Sequence, residues 1–173
     1  DPFKRYKSFG EHNNEKLKEF LQKFNFKFDF KSSTENYKKG VFNNSLFRVL
    51  EKYEEIMNII LPTLREERRK TYCPFLPICP KTGKVLEIPL LEIDKKTGKA
   101  IFNNNGEKIE TSILDGNCKL QWKVDWAMRW FTFDVDFEMY GKDLTESAIL
   151  SNKICKTLGK NPPNGFAYEL FLD

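Results

Sequence analysis

The tripeptide Gly141-Lys142-Asp143 has the residue types of a nucleotide-binding turn. It follows a predicted strand and precedes a predicted helix, where an open parallel sheet binds ligands beyond the carboxyl ends of its strands. The amides of a helix N-terminus favour phosphate, Gly141 permits close backbone approach, and Asp143 can accept hydrogen bonds from ribose hydroxyls. The structural alternative is a capping box between Asp143 and Glu146, which stabilises a helix by about 1 kcal/mol.

Three tryptophans recur at a spacing of four residues, at Trp122, Trp126 and Trp130. On a helix they form one aromatic stripe, and such a stripe usually packs into the core. The alternative is the wall of a binding pocket, because an indole face packs on the methylene groups of an aliphatic ammonium compound such as lysine and attracts its charge. Asp125 would then add a carboxylate to complete the recognition.

Four cations lie within residues 64–70, at Arg65, Arg68, Arg69 and Lys70. They could contact several phosphates of a nucleic acid. The same segment contains two glutamates and follows a long predicted helix, where solvated charges and cations that complement the helix dipole are common. The net charge of +4, from 29 basic and 25 acidic side chains, does not by itself predict a polyanion partner.

The cysteines and the histidine argue against metal chemistry. Cys73 and Cys79 are six positions apart and Cys118 is distant, so the paired two-residue spacing of a structural zinc site is missing. Thiols packed in a core are the expected alternative. His12 is the only histidine, which excludes a pair of catalytic histidines within these residues and predicts a polar surface residue. No metal site is predicted.

No apolar run approaches the roughly 18 to 20 residues of a membrane helix. An even number of cysteines, four, occurs in a chain large enough to fold without disulfides, so reduced thiols in the cytoplasm are expected. We therefore expect no membrane partner. The chain begins at Asp1 and ends at Asp173 directly after an apolar run, and both ends are expected to be cut ends of a longer protein.

Apolar spacing predicts two helices and one strand in the first part of the chain. The first helix is predicted at about residues 11–24, and residues 26–31 alternate phenylalanine with charge as a half-buried strand does. A turn or helix start is predicted at residues 32–35 and is closed by Gly40. One long helix is then predicted at about residues 45–61, before Pro62.

The rest of the chain predicts a β-rich insertion and a parallel-sheet unit. Strands are predicted for the insertion at residues 84–94, 100–103 and 108–113. After residue 119, the predicted order is helix 125–133, strand 135–140, helix 145–158 and strand 166–172. Alternation of strand, helix and strand indicates a parallel sheet. The expected class is α/β.

Several of these segments together resemble one enzyme family. They are KLQWKVDWAMRW at residues 119–130, VDFE at residues 135–138 and the Gly-Lys-Asp element at residues 141–143. This order is similar to the central active-site region of class I lysyl-tRNA synthetases. The segments at residues 1–3, 61–68, 74–78 and 168–172 are similar to the bacterial, particularly alphaproteobacterial, branch.

The resemblance implies a Rossmann-type catalytic domain with an insertion. Its parts would be residues 1–72, an insertion at residues 73–118 that packs near the acceptor end of tRNA, and an active-site part at residues 119–173. It implies formation of lysyl-adenylate from lysine and ATP with Mg²⁺, then transfer to tRNA(Lys), with no DNA partner. The implied lysine contacts are Trp122, Asp125, Trp126 and Tyr168. The implied adenylate contacts are Gly141, Lys142 and Asp143.

Three departures from the family pattern matter. The histidine-containing phosphate motif is expected before Asp1 and the KMSKS-like loop after Asp173, so the catalytic residues are unknown and these residues alone are expected to be inactive. Leu144 stands where the family often has histidine. Cys79 keeps only the first cysteine of a pair that archaeal relatives carry, so no zinc is predicted. The alternatives are a non-catalytic tRNA-binding paralogue and a class I synthetase for another amino acid.

Overall fold

The computed structural model describes residues 3–169. Two compact units divide the chain, Asp1–Ser33 and Thr34–Asp173. Within residues 3–169, no helix is both long enough and apolar enough to cross a membrane. The predicted α/β class is confirmed, because helices occur with a parallel strand pair and with antiparallel sheets.

In the first unit, α1 spans Phe9–Lys23, which confirms the predicted helix. Ser8 caps it by accepting a hydrogen bond from the amide of Glu11 at 3.0 Å, and the Glu11 carboxylate accepts one from the amide of Lys7 at 2.9 Å. These bonds resemble a capping box, except that the Glu11 carboxylate bonds the amide of Lys7 and not that of Ser8 itself. The helix therefore begins two residues earlier than predicted, at the first residue after Ser8.

The strand predicted at residues 26–31 is wrong, since this segment is extended but pairs with no strand within residues 3–169. Phe26 is 61% exposed. Alternation of aromatic and charged residues produces a strand only where a neighbouring strand supplies backbone hydrogen bonds. The surface position predicted for His12 is also wrong. His12 is half-buried, and its ring centroid lies 5.4 Å from that of Phe3 and 5.5 Å from that of Tyr6.

The second unit starts with three helices, α2 at Ser33–Lys38, α3 at Asn43–Glu51 and α4 at Tyr53–Ile60. A helix start at residues 32–35 is confirmed, and Gly40 ends the segment with φ +71°. The single helix predicted at residues 45–61 is instead divided at Lys52, whose φ and ψ are −95° and 18°. Apolar spacing does not signal this break, because buried Val49, Ile56 and Ile60 would share one face of a continuous helix.

A short 3-10 turn at Leu61–Thr63 precedes α5 at Glu66–Arg69. Strand β1 (Phe75–Pro77) then follows. The next three strands, β2 (Leu90–Ile93), β3 (Lys99–Asn104) and β4 (Glu107–Ser112), form an antiparallel sheet in the order β2-β3-β4. Strands β3 and β4 confirm the strands predicted at residues 100–103 and 108–113. The strand predicted at residues 84–94 is wrong before Leu90, because Pro89 has no amide hydrogen for a strand ladder.

Strand β5, Cys118–Leu120, pairs antiparallel with β1 and leads into α6, Trp122–Phe133. A parallel unit follows, formed by β6 at Phe137–Gly141, a 3-10 turn at Lys142–Leu144, α7 at Thr145–Leu158 and β7 at Asn164–Tyr168. The predicted strand, helix and strand are therefore confirmed. The strand predicted at residues 166–172 is observed at Asn164–Tyr168, two residues earlier at its start, and residues 170–172 of the prediction lie outside the described part of the chain.

The core of the second unit lies where α3, α4, α6 and α7 meet. Its fully buried side chains include Leu46, Ile60, Met128 and Ile154. Helices α6 and α7 are also joined by a hydrogen bond from the Ser151 hydroxyl to the carbonyl of Lys123, 2.9 Å long. This packing fixes α6, which carries the predicted site residues Trp122, Asp125 and Trp126.

Candidate substrate site

The tryptophan stripe lies on α6, and its three rings differ in exposure. Trp126 is 5% exposed and Trp130 3%, whereas Trp122 is 45% exposed. The Trp122 and Trp126 ring centroids are 5.0 Å apart, and those of Trp126 and Trp130 are 4.8 Å apart. Core packing therefore accounts for Trp126 and Trp130, and Trp122 extends the same stack to the surface.

The parallel sheet supports this stack from one face. The Trp130 indole donates a hydrogen bond to the Glu138 carboxylate at 2.6 Å, and the Tyr140 ring meets Trp126 edge-on at 5.6 Å. Glu138 and Tyr140 alternate along β6, so both side chains point to the same face. Gly165 on β7 leaves room for Tyr140, since a Cβ there would lie 3.0 Å from the tyrosine hydroxyl.

Asp125 lies on the first turn of α6 and already has two partners. One carboxylate oxygen accepts a hydrogen bond from the Tyr37 hydroxyl at 2.5 Å, and the other lies 2.9 Å from the Nε of Arg129. The Arg129 guanidinium is 6.0 Å from the centre of the Trp122 ring. Burial, and then the charge of Asp125, raise the pKa of Tyr37, so the tyrosine stays a neutral donor.

The Gly141-Lys142-Asp143 segment lies at the carboxyl end of β6. Gly141 pairs with Tyr168 at the end of β7, and its φ of −62° is accessible to any residue. Lys142 forms a 2.6 Å ion pair with Glu169 on the exposed surface. The predicted residues Gly141, Lys142 and Tyr168 are therefore neighbours at one edge of the sheet.

The capping box between Asp143 and Glu146 is absent. Leu144 is the N-cap of α7, no side chain caps this helix, and Leu144 packs against the core. The Asp143 carboxylate is exposed and has no hydrogen-bond partner among residues 3–169. It is consequently available to a ligand. The apolar contact of Leu144 is a structural reason for leucine at this position.

The four cations after α4 are held differently from one another. Arg69 donates to the carbonyl of Leu64 at 2.7 Å, Arg68 pairs with Glu87, and Lys70 lies 3.5 Å from Glu66. Arg65 is exposed and has no partner among the described residues. Only part of this charge is therefore free to meet phosphate.

The cysteines are all free thiols. Burial raises the pKa of Cys73 to about 11 and that of Cys118 to about 12, and it also raises the pKa of Cys155. Hydrogen bonding by Thr82 lowers the pKa of Cys79. Within residues 3–169, no three histidine, cysteine, aspartate or glutamate residues are arranged to hold a metal ion.

Two contacts at the candidate site lacked a sequence signal. Tyr37 reaches Asp125 across 88 positions, and the Lys142 partner Glu169 lies 27 positions away. Neither contact follows a helical or strand period. A three-dimensional structure was needed to find them.

Comparison with known proteins finds one matching family and several relatives that share one name. The profile of the family described as tRNA synthetases class I (K) matches residues 1–173. A lysine-tRNA ligase of Rickettsia bellii (strain RML369-C) is 54% identical over 174 residues, which cover 100% of this chain and 33% of that protein. Proteins of the same name from Rickettsia typhi (strain ATCC VR-144 / Wilmington) and Rickettsia prowazekii (strain Madrid E) are each 53% identical, with the same coverage. The chain thus spans about a third of the length of these curated relatives.

Proposed function

Because the chain belongs to the class I tRNA synthetases (K), we propose that it forms part of a lysine-tRNA ligase. Such an enzyme activates lysine with ATP to form lysyl-adenylate and then transfers the lysyl group to the terminal ribose of tRNA(Lys). The proposed cellular location is the cytoplasm, in keeping with four free thiols. The supporting sequence relationship covers the whole chain.

The observation that carries the proposal is an exposed indole, Trp122, stacked on a buried one that contacts the strand ending at Gly141. Trp122 is proposed to form the wall that packs on the methylene groups of lysine, with buried Trp126 supporting it and Tyr168 at its border. Trp126 contacts Tyr140, which directly precedes Gly141, and Gly141 pairs with Tyr168. An aromatic wall for lysine and a nucleotide turn would therefore lie on neighbouring segments, as condensation of the two substrates requires.

Gly141, Lys142 and Asp143 are proposed to bind the adenylate. The exposed Asp143 carboxylate is free to accept hydrogen bonds from the ribose hydroxyls. Lys142 can turn from Glu169 toward phosphate, because an exposed ion pair contributes little stability, roughly 0 to 1 kcal/mol. Mg²⁺ is proposed to enter with the phosphates of ATP, which normally provide part of its coordination. No residue of this chain is assigned to Mg²⁺ or to zinc.

The proposed division into catalytic part, insertion and active-site part has support from the pairing of β1 with β5. Phe75 and Leu120 are register partners, so the chain enters and leaves residues 78–117 at the same place. This is the arrangement expected of an insertion between two parts of one domain.

Amino-acid-dependent exchange of pyrophosphate into ATP tests the proposal. The assay would compare the 173-residue chain with the same chain joined to the flanking segments of the Rickettsia bellii protein, using a panel of amino acids. We expect exchange with lysine only, and only in the joined protein. Exchange by the short chain alone would refute its proposed inactivity, and preference for another amino acid would refute the lysine assignment.

A tRNA-binding measurement distinguishes the proposed ligase from the remaining alternative, a non-catalytic tRNA-binding paralogue. Arg65, Arg68, Arg69 and Lys70 are proposed to contact tRNA(Lys), with Arg65 as the least constrained of them. In the joined protein, Arg65→Ala should weaken tRNA binding and reduce the magnitude of the salt slope by roughly 0.7 to 0.9 for one lost phosphate contact. Lys153→Ala, an exposed lysine of α7, is the matched control. Binding of tRNA without any amino acid activation would favour the non-catalytic paralogue.

A further inference from the structure

The Tyr37 hydroxyl joins two segments at the start of α6. It donates to the Asp125 carboxylate at 2.5 Å and accepts a hydrogen bond from the amide of Leu120 at 3.2 Å. The ring is 2% exposed and packs edge-on against Phe42 at 4.8 Å. The hydroxyl is thus held on a buried ring and bonds the strand before the helix and the first turn of the helix.

The start of α6 has no side-chain cap of its own. Gln121 is the N-cap residue, and no side chain forms a capping hydrogen bond with this helix. The Gln121 side chain bonds Glu87 instead. An uncapped helix start has free amides and tends to fray. Tyr37 satisfies none of these amides, but its hydroxyl bonds Leu120 before the helix and Asp125 in the first turn, so it restrains how the helix begins.

The link continues to the exposed tryptophan. Asp125 pairs with Arg129, and the Arg129 guanidinium lies 6.0 Å from the Trp122 ring, a distance at which a cation is attracted by an indole face. Trp122 stacks on Trp126 on the same helix. The hydroxyl, the carboxylate and the guanidinium form one chain of contacts that ends at the exposed indole.

We propose that Tyr37 is a positioning residue that sets the geometry of the lysine-binding wall, acting through Asp125 and Arg129 on Trp122. This inference rests on the proposed lysine-tRNA ligase function. It gives Asp125 a role that is different from direct contact with the lysine ammonium group, since both of its oxygens are engaged by the protein. Tyr37 itself does not touch substrate.

The test uses Tyr37→Phe in the protein joined to its flanking segments. The variant keeps the buried ring but removes the link to Leu120 and Asp125. We expect the Michaelis constant for lysine in pyrophosphate exchange to rise about tenfold, the effect of one lost hydrogen bond to a charged group, and the constant for ATP to change less than about twofold. A Michaelis constant does not depend on the fraction of folded enzyme, so partial unfolding would not imitate this result.

Tyr53→Phe is the matched control, because it removes another partly buried hydroxyl, one that bonds the Cys73 thiol. A second comparison measures the inhibition constant of norleucine, in which a hydrogen atom replaces the side-chain ammonium group of lysine. A displaced indole wall should weaken lysine and norleucine alike. Near-UV circular dichroism of the 173-residue chain gives an independent readout, since all three of its tryptophans lie on α6.

Each outcome has a distinct meaning. A rise for lysine and norleucine together, with a changed tryptophan dichroism in Tyr37→Phe only, supports the proposal. Equal effects of Tyr37→Phe and Tyr53→Phe would overturn it. Weakened binding of lysine but not of norleucine would also overturn it and would indicate that Asp125 contacts the ammonium directly. If the unmodified joined protein fails to activate lysine, the proposed function itself is refuted.

Discussion

Trp122 and Trp126 stack with their ring centroids 5.0 Å apart and their planes inclined by 22°, although one is largely exposed and the other is buried. The pair is one structural feature with two roles. Trp126 belongs to the core between α6 and β6, and Trp122 presents its ring to solvent. Mutation can therefore separate the contribution of the stripe to stability from its proposed contribution to binding.

The first prediction compares alanine substitutions at these two positions. Trp126→Ala should lower the free energy of unfolding by about 3 to 5 kcal/mol, the usual result of truncating a buried aromatic ring. Trp122→Ala should lower it by less than about 1.5 kcal/mol, the upper range of an aromatic pair interaction. Urea unfolding of the 173-residue chain, followed by far-UV circular dichroism, measures both.

Lysine binding, in contrast to stability, should depend on the exposed tryptophan of this pair. In the joined protein, Trp122→Ala should raise the Michaelis constant for lysine because it removes the exposed wall, whereas Trp122→Phe should retain part of the stacking surface. A Michaelis constant unchanged in Trp122→Ala would show that this indole is not part of the lysine site. The ATP constant serves as the internal control.

The second prediction concerns the hydrogen bond between Trp130 and Glu138. Glu138→Ala leaves the indole N–H of Trp130, whose side chain is buried, without its 2.6 Å acceptor. An unsatisfied buried donor costs about 1 to 3 kcal/mol of folding free energy. Denaturant unfolding should show this loss. Glu138→Gln is the matched control, because its amide oxygen can still accept from the indole, and it should lose clearly less stability than Glu138→Ala.

The sequence predicted the elements whose signals are local. Helix α7 was predicted with its observed bounds, because apolar residues recur along it and Gly159 with φ +108° ends it. The failure at residues 26–31 has a different origin, since a strand depends on a partner that the local sequence does not specify. The long helix predicted at residues 45–61 is divided at Lys52, although buried Val49 and Ile56 would share one face of a continuous helix. The local pattern of apolar residues contains neither outcome.

The candidate site shows the same division between features that the local sequence predicts and contacts that only the folded chain creates. The stacking of Trp122, Trp126 and Trp130 follows from a spacing of four on a helix and was predictable. The engagement of Asp125 by Tyr37 was not, because the two residues are 88 positions apart and only the packed fold brings them together. The proposed substrate contacts of these residues stay predictions until binding is measured.

The third prediction uses the close packing of Gly165 and Tyr140. An alanine Cβ at residue 165 would lie 3.0 Å from the Tyr140 hydroxyl and 3.1 Å from its Cε1, so the ring must move. Since that ring also contacts Trp126, Gly165→Ala should lower stability by about 1 to 3 kcal/mol and change the tryptophan fluorescence.

Two further variants control this result. Gly10→Ala on α1 meets only the Ser8 hydroxyl oxygen, at 3.8 Å, and should stabilise the chain by up to about 1 kcal/mol through helix propensity. Tyr140→Ala in the Gly165→Ala background should remove the steric conflict, so its additional cost should be smaller than the cost of Tyr140→Ala alone. Additive losses would show that the two side chains do not interact.

The fourth prediction concerns thiol reactivity and its dependence on pH. The thiolate is the reactive form, and hydrogen bonding by Thr82 lowers the pKa of Cys79 from 9.0. Cys79 should therefore react first with a disulfide reagent, and Cys79→Ser should abolish the fast phase. Buried Cys73 and Cys118, with pKa values of about 11 and 12, should react only on unfolding.

These raised pKa values also predict a loss of stability at alkaline pH. Below the unfolded thiol pKa of about 8.5, Cys73 and Cys118 are protonated in both states and stability is complete. As the pH rises above that value, unfolded chains lose these protons first, so the free energy of unfolding falls continuously until the folded values of about 11 and 12 are reached. Urea midpoints measured from about pH 8 to about pH 10 should decline, and replacing Cys118 by alanine should reduce the slope of that decline. An unchanged slope in Cys118→Ala would show that this thiol does not titrate differently in the folded and unfolded states.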